Sequence, residues 1–255
     1  VDEAIIEDCT NTALVELKNG AGSNNRPVLA GGILGRSVGA KASIINSTNK
    51  GIVNNDCANN FLGTWDNNNP DSAPNAVGDG SSSLAVRDCK NYAAVKAYRG
   101  IAGGIAGNIS TKGSAIVATI SNCENTGDMT DGNKSVGGGI AGRVLYSKIE
   151  NCIVTTKIGA RTSGGYTNTT GGIVGELQAG STCVGSKYYG ELMQSSSVDN
   201  KRIGGIAGTS VSGAVINNCG FGGTINALNI SKLSEVCGDA NFSSSVVNYI
   251  WSGVK

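Results

Sequence analysis

One five-residue word constrains this chain more than any other feature. It reads Gly103-Gly104-Ile105-Ala106-Gly107 and recurs unchanged at 138–142 and 204–208. Two close variants are Gly31-Gly32-Ile33-Leu34-Gly35 and Gly171-Gly172-Ile173-Val174-Gly175. The words begin at 31, 103, 138, 171 and 204, in steps of 72, 35, 33 and 33. The first step is about two periods, so one copy is decayed or displaced between 35 and 103. Self-similarity at a period of this size marks a repeat architecture, in which each copy is one structural unit.

A second word follows each first one. It is Asn122-Cys123, Asn151-Cys152 and Asn218-Cys219, with Asp8-Cys9, Asp88-Cys89 and Thr182-Cys183 as variants and Asn46-Ser47 as a copy lacking the thiol. Counted from the Cys position, residue −3 is aliphatic in Ile6, Ile44, Val86, Ile120, Ile149 and Ile216, with Gly180 as the exception. Residue +6 is bulky throughout, in Val15, Val53, Val95, Met129, Ile158, Tyr189 and Ile225. Residue −5 is mostly small, as in Ala4, Ala42, Ala118 and Ala214.

Positions −5 and −3 share one face of a strand, because strand side chains alternate with period two. The Cys breaks that parity, so the chain bends between −3 and 0. Asn or Asp at −1 is the residue type other than Gly that best tolerates left-handed backbone angles. The pattern therefore predicts a corner at −1 and a new strand from the Cys. The Gly-Gly-Ile word supplies a further strand, with its Ile inward. A unit of two or three short strands cannot bury its apolar side alone; stacking equivalent units buries it and pairs the backbone.

The expected fold is all-β: a single-stranded parallel β-helix, or β-solenoid, of about seven coils over residues 1–227. An inserted loop is expected near 58–83, where the missing word should stand. Residues 228–255 leave the register and read as a C-terminal cap over the last coil. Composition agrees. Gly is 39 of 255 residues, about twice the usual share of roughly 7%. Aromatic residues are only 5%, as suits a narrow core of Ile, Val, Ala and Cys.

Charge and residue types exclude several functions. Twenty basic residues face 19 acidic ones, for a net charge of +1, which leaves no electrostatic footprint for nucleic acid or an anionic membrane. No apolar run approaches the ~20 residues that span a bilayer. The absence of histidine removes Ser-His-Asp and Cys-His catalysis and most zinc sites. Charged residues are only 15%, so a surface of Asn, Ser, Thr and Gly is expected, as on many secreted proteins. The chain starts at Val1 and reads as a product whose targeting segment has been removed.

Six cysteines, Cys9, Cys89, Cys123, Cys152, Cys183 and Cys219, occupy the repeat position. They are expected to form an inward file of free thiols, neighbours about 4.8 Å apart with parallel rather than facing side chains. They would act as small apolar groups. Cys57 and Cys237 are off register. Gly35-Arg36-Ser37-Val38-Gly39 imitates a nucleophile elbow, and Gly137-x-Gly139-x-x-Gly142 a dinucleotide fingerprint. The first lacks a base, and the second lies inside the repeat word with no helix pattern after it. Asp128 and Asp131 read as a solvated loop in preference to a calcium site. Six Asn-x-Ser/Thr strings, including Asn108 and Asn168, fit the abundance of those residues. No catalytic, cofactor or metal residue emerges. Phe61 with Trp65, and Tyr166, are candidate ligand-contact residues on loops, with capping of core edges as the competing role.

The two words in this order and spacing resemble the Glug-motif repeat of bacterial surface proteins, over most of residues 1–226. The resemblance implies a β-solenoid on the outside of a bacterium, often of a gut Bacteroidetes type, with no catalytic residues. Such repeats also form non-catalytic segments of some surface peptidases specific for immunoglobulin A. The expected function is an adhesin-like binding or scaffold module, secreted or on the cell surface, with a glycan or host extracellular protein as ligand. The alternative is a polysaccharide lyase or hydrolase, which needs two acids held about 5–10 Å apart. Glu150 and Glu176 are in register with the repeat, but no shared column of acids is apparent.

Overall fold

A computed structural model describes residues 3–17, 33, 41–55, 84–97, 100–110, 118–131, 135–160, 168–195, 201–228, 232–240 and 247–249. The proposed insertion at 58–83, Phe61, Trp65, Tyr166, Cys57 and the elbow-like string past Ile33 lie outside these residues. The described chain is a parallel β-solenoid without helix. One full coil has five short strands: Leu84–Arg87, Lys90–Asn91, Val95–Ala97, Gly100–Gly103 and Ala106–Ser110.

Seven strands stack on the first face, beginning at Glu3, Lys41, Leu84, Ala118, Ser147, Thr182 and Val215. These define seven levels, numbered from the N-terminus. All pair in parallel, one level upon the next. Among the described residues four levels, the third to the sixth, show all five strands as separate elements, against the about seven coils expected. The first two levels show three described strands each, and the seventh merges its first two into Val215–Phe221.

The corner is where the sequence places it. Asp8, Asn46, Asp88, Asn122, Asn151 and Asn218 all adopt φ between 45° and 57°. Their side chains bond along the shaft: Asn46 donates to Asp8 at 2.5 Å and Asn122 to Asp88 at 3.3 Å. The left-handed step turns the next side chain inward, beside the carbonyl two residues before it, which also accepts the corner amide of the level below. That carbonyl accepts the thiol. Cys89 donates to Arg87 O at 3.2 Å, Cys123 to Ser121 O at 3.2 Å and Cys152 to Glu150 O at 3.4 Å. Ser47 does the same toward Ile45 O at 2.9 Å. The thiols are therefore caps of a bent backbone as well as apolar filler, and a hydroxyl substitutes for them.

The sixth level corrects the expected file. Backbone pairing sets Cys183 beside Ile149 and Ile216, in the aliphatic position −3. Ser186 takes the thiol's place: its Oγ donates to Val184 O at 3.3 Å and accepts from the Cys152 amide at 3.1 Å. Gly185, at φ 63°, makes the corner. Thr182-Cys183 imitates Asn-Cys in sequence but lies three residues early. The bulky residue at +6 is accordingly Leu192, paired with Ile158 and Ile225, and not Tyr189.

Ile120, Ile149 and Ile216 are fully buried, as are Ile158 and Leu192 and the word residues Ile140, Ile173 and Ile206. Burial of each contributes about 1.5–3 kcal/mol. A second file is polar. Asn11 Nδ2 donates to Asn49 Oδ1 at 2.9 Å, Asn49 to Asn91 at 2.8 Å, and Asn91 to Asn125 at 2.7 Å. Asn125 ends the ladder on the Gly139 carbonyl at 2.8 Å. Above it the same position holds Val154, Tyr188 and Phe221, the two rings stacked 6.0 Å apart.

This file explains the second glycine of the repeated word. A Cβ on Gly104 would lie 2.3 Å from Asn125 Nδ2, and one on Gly172 2.6 Å from Tyr188 Cγ. Any side chain there would displace the residue of the next level.

The shaft also continues past the expected cap boundary at 228. Lys232–Ser234 pairs with the strand at Arg202–Gly204, and Cys237–Ala240 with the strand at Ala207–Ser210. Ser234-Glu235-Val236-Cys237-Gly238 is thus a degenerate copy of the repeated word. Cys237, read as off register, sits in register with Ala207 and is buried. Val247–Tyr249 adds a further strand above Val215–Phe221.

Candidate functional site

The outward side chains of a solenoid form rows, because equivalent residues recur about every 4.8 Å along it. A binding face on such a shaft is a row whose members are exposed and apolar. One bend, the turn between the second and third strands of each level, gathers exposed apolar residues at two offsets: Leu14 and Ile52 share one, and Tyr92 stands two residues earlier in its level. Leu14 in the first level is 58% exposed, Ile52 in the second 41% and Tyr92 in the third 45%. The three levels are held together there by backbone bonds, Val15 to Ile52 O at 2.8 Å and Tyr92 N to Asn49 O at 2.9 Å. Tyr189, in the same bend of the sixth level, is 39% exposed.

Sequence reasoning missed these aromatics because Tyr189 counted among the bulky residues at +6 and Tyr92 had no role. The usable signal was their common offset, three residues after Cys89 and after Ser186. Lys90 flanks Tyr92, two levels below Ile153, which is 43% exposed on the neighbouring strand.

Several of the described acids have partners. Lys90 pairs with Glu124 at 3.6 Å, Lys157 with Glu191 at 3.2 Å and Lys148 with Glu150. On the fifth face Arg143 holds Glu176 at 2.5 Å, and Gln178 donates to the same carboxylate at 3.1 Å. Asp239 stands in the Glu176 column two levels on, at Thr209's next pairing, and is held by Arg202 at 2.7 Å. Two levels correspond to about 10 Å. This shared column was invisible while residues past 228 were read as a cap. With a guanidinium on each carboxylate, the arrangement is that of cross-level ion pairs. Asp128 accepts a hydrogen bond from Thr156 at 3.0 Å; the side chain of Asp131 lies outside those described.

Three of the buried thiols, Cys89, Cys123 and Cys237, are chemically quiet. The hydrogen bond with Cys152, with burial behind it, pushes the Cys123 thiol up to about 12. The hydrogen bond with Cys123 and burial push Cys89 higher still. Burial pushes Cys237 up to about 12. Cys9, in the first level, is exposed. The dinucleotide-like string 137–142 is two strands and their bend, with no helix to receive a phosphate. Asn108 and Asn168 are buried, so neither presents its amide as a glycosylation acceptor on the folded shaft.

No described helix is long and apolar enough to cross a membrane. Comparison with protein-family models, with curated proteins and with solved structures gave no match.

Proposed function

We propose that this chain is a non-enzymatic, adhesin-like binding or scaffold module, secreted or displayed on a bacterial surface. The observation that carries the reading is the bend that holds Leu14, Ile52 and Tyr92: exposed apolar and aromatic groups in the same turn of three consecutive levels. An aromatic face beside aliphatic groups suits the apolar face of a sugar ring or an apolar strip of an extracellular protein. The low charge and neutral polar composition support an external location. The resemblance of the repeated words to Glug-motif surface proteins supports the same reading, and also admits a non-catalytic segment of a larger surface enzyme.

The test is an array of glycans and extracellular-matrix proteins, probed with the wild type and with a Tyr92→Ala, Ile52→Ser double variant. Binding should fall at least tenfold in the variant with its melting temperature unchanged. Equal binding by both would remove the bend as the site. Release of reducing ends or unsaturated sugars from any polysaccharide would replace the proposal with the enzymatic alternative.

A further inference from the structure

Within the thiol file each Cys lies over the −3 carbonyl of the level below. Cys89 is 3.6 Å from Ile44 O, Cys123 3.7 Å from Val86 O and Cys152 3.8 Å from Ile120 O. Cys219 keeps this diagonal and lies 3.3 Å from Cys183 O. At the other levels the diagonal neighbour is Ile or Val. At the sixth level the thiol and hydroxyl have changed places, so the diagonal neighbour is itself a cysteine. The result is a sulfur–sulfur distance of 3.6 Å between two buried, unbridged thiols 36 residues apart.

We propose that Cys183 and Cys219 are an oxidisable pair that closes a covalent staple between the sixth and seventh levels, with a small-molecule or protein disulfide as oxidant. Thiols of one file point in parallel, but these two converge from adjacent files across the corner. Bond formation needs the sulfurs to close to about 2.05 Å, a movement of about 1.5 Å. The Cys219 thiolate attacks one sulfur of the oxidant, whose S–S bond breaks and releases one thiol. The Cys183 thiolate then attacks Cys219 Sγ, the mixed disulfide breaks, and the second thiol leaves. Two protein thiols lose two electrons, the oxidant's disulfide gains them, and both protons end on the departing thiols. The assignment of Cys219 as first nucleophile agrees with its surroundings. The hydrogen bond from Cys183 holds the Cys219 thiol below its ordinary value, and the same bond, with burial, pushes Cys183 up. Because both sulfurs are buried, the exchange takes place as the chain folds or when the last levels open locally.

The experiment is refolding of the full chain in a glutathione redox buffer, then trapping of free thiols and peptide mapping without reductant. The expected product lacks two hydrogens and links the peptides of Cys183 and Cys219. Its melting temperature exceeds that of the reduced chain by roughly 5–15 °C, from closure of a loop of this length. Cys183→Ile restores the residue type of its column; it should fold and show neither linkage nor shift. Eight alkylated thiols after oxidation, a linkage through other cysteines, or an undiminished shift in Cys183→Ile would each overturn the proposal.

Discussion

Replacing Asn91 with Val tests what the polar file does for the shaft. The side chain is buried and uses three hydrogen bonds: it accepts from Asn49 at 2.8 Å and donates to Asn125 at 2.7 Å and to Ala93 O at 2.9 Å. Valine has a suitable shape, since Val154 occupies the same position two levels on. The loss is therefore mainly polar. Three bonds at about 1 kcal/mol net each give about 3 kcal/mol, and a buried amide left without its acceptor at Asn49 adds about 1–3 kcal/mol. Asn125 Oδ1 is spared, because it also accepts from Gly127 N at 3.1 Å. The expected cost is about 4–6 kcal/mol. Asn11→Val is the control: Asn11 is partly exposed in the first level, where water can replace its bonds, and should cost about 1 kcal/mol. Urea unfolding followed by far-UV circular dichroism reads both, with the slope checked for constancy. If Asn91→Val falls within 1 kcal/mol of wild type, or costs no more than Asn11→Val, the ladder is not what holds these levels together.

Two more outcomes follow from the packing and the thiols. Gly172→Ala would set a Cβ 2.1 Å from the Gly205 carbonyl and 2.6 Å from the Tyr188 ring. A backbone oxygen cannot rotate away, so a cost of about 3 kcal/mol or more is expected. Gly107→Ala, whose nearest neighbour would be Ile101 O at 3.2 Å, should cost less than about 1 kcal/mol; similar thermal denaturation of the two variants would refute the close-approach reasoning. Cys123 and Cys237 keep their protons to about 12 in the fold, against an ordinary value of 9.0. The unfolded chain therefore loses protons first, and stability should be full below about pH 9 and fall as pH rises toward 12. A flat profile of denaturation midpoint over that range, with both thiols open to alkylation at pH 8, would contradict it.

The residues that act within one turn of chain were legible in the sequence. Asn or Asp at −1 makes the left-handed corner because its short polar side chain tolerates that geometry, and Ile at −3 faces inward because strand parity dictates it. The word Gly-Gly-Ile marks a level because any larger second residue collides with the level above. Each of these is a local steric rule repeated at a fixed period, and repetition makes it readable. What the tertiary structure decided is the matching of levels. Thr182-Cys183 and Gly185-Ser186 offer two alignments three residues apart, and only backbone pairing with Lys148–Glu150 and Val215–Asn217 chooses between them. The asparagine ladder joins residues 34 to 42 positions apart. The last degenerate word, and with it the Glu176–Asp239 column, is recognisable only from the strands it pairs with. The exposed groups at Leu14, Ile52 and Tyr92 likewise come to one bend only once the levels are stacked. Contacts along the shaft depend on which strand lies above which, and hydrogen-bond pairing between distant segments settles that, not the preferences of any single segment.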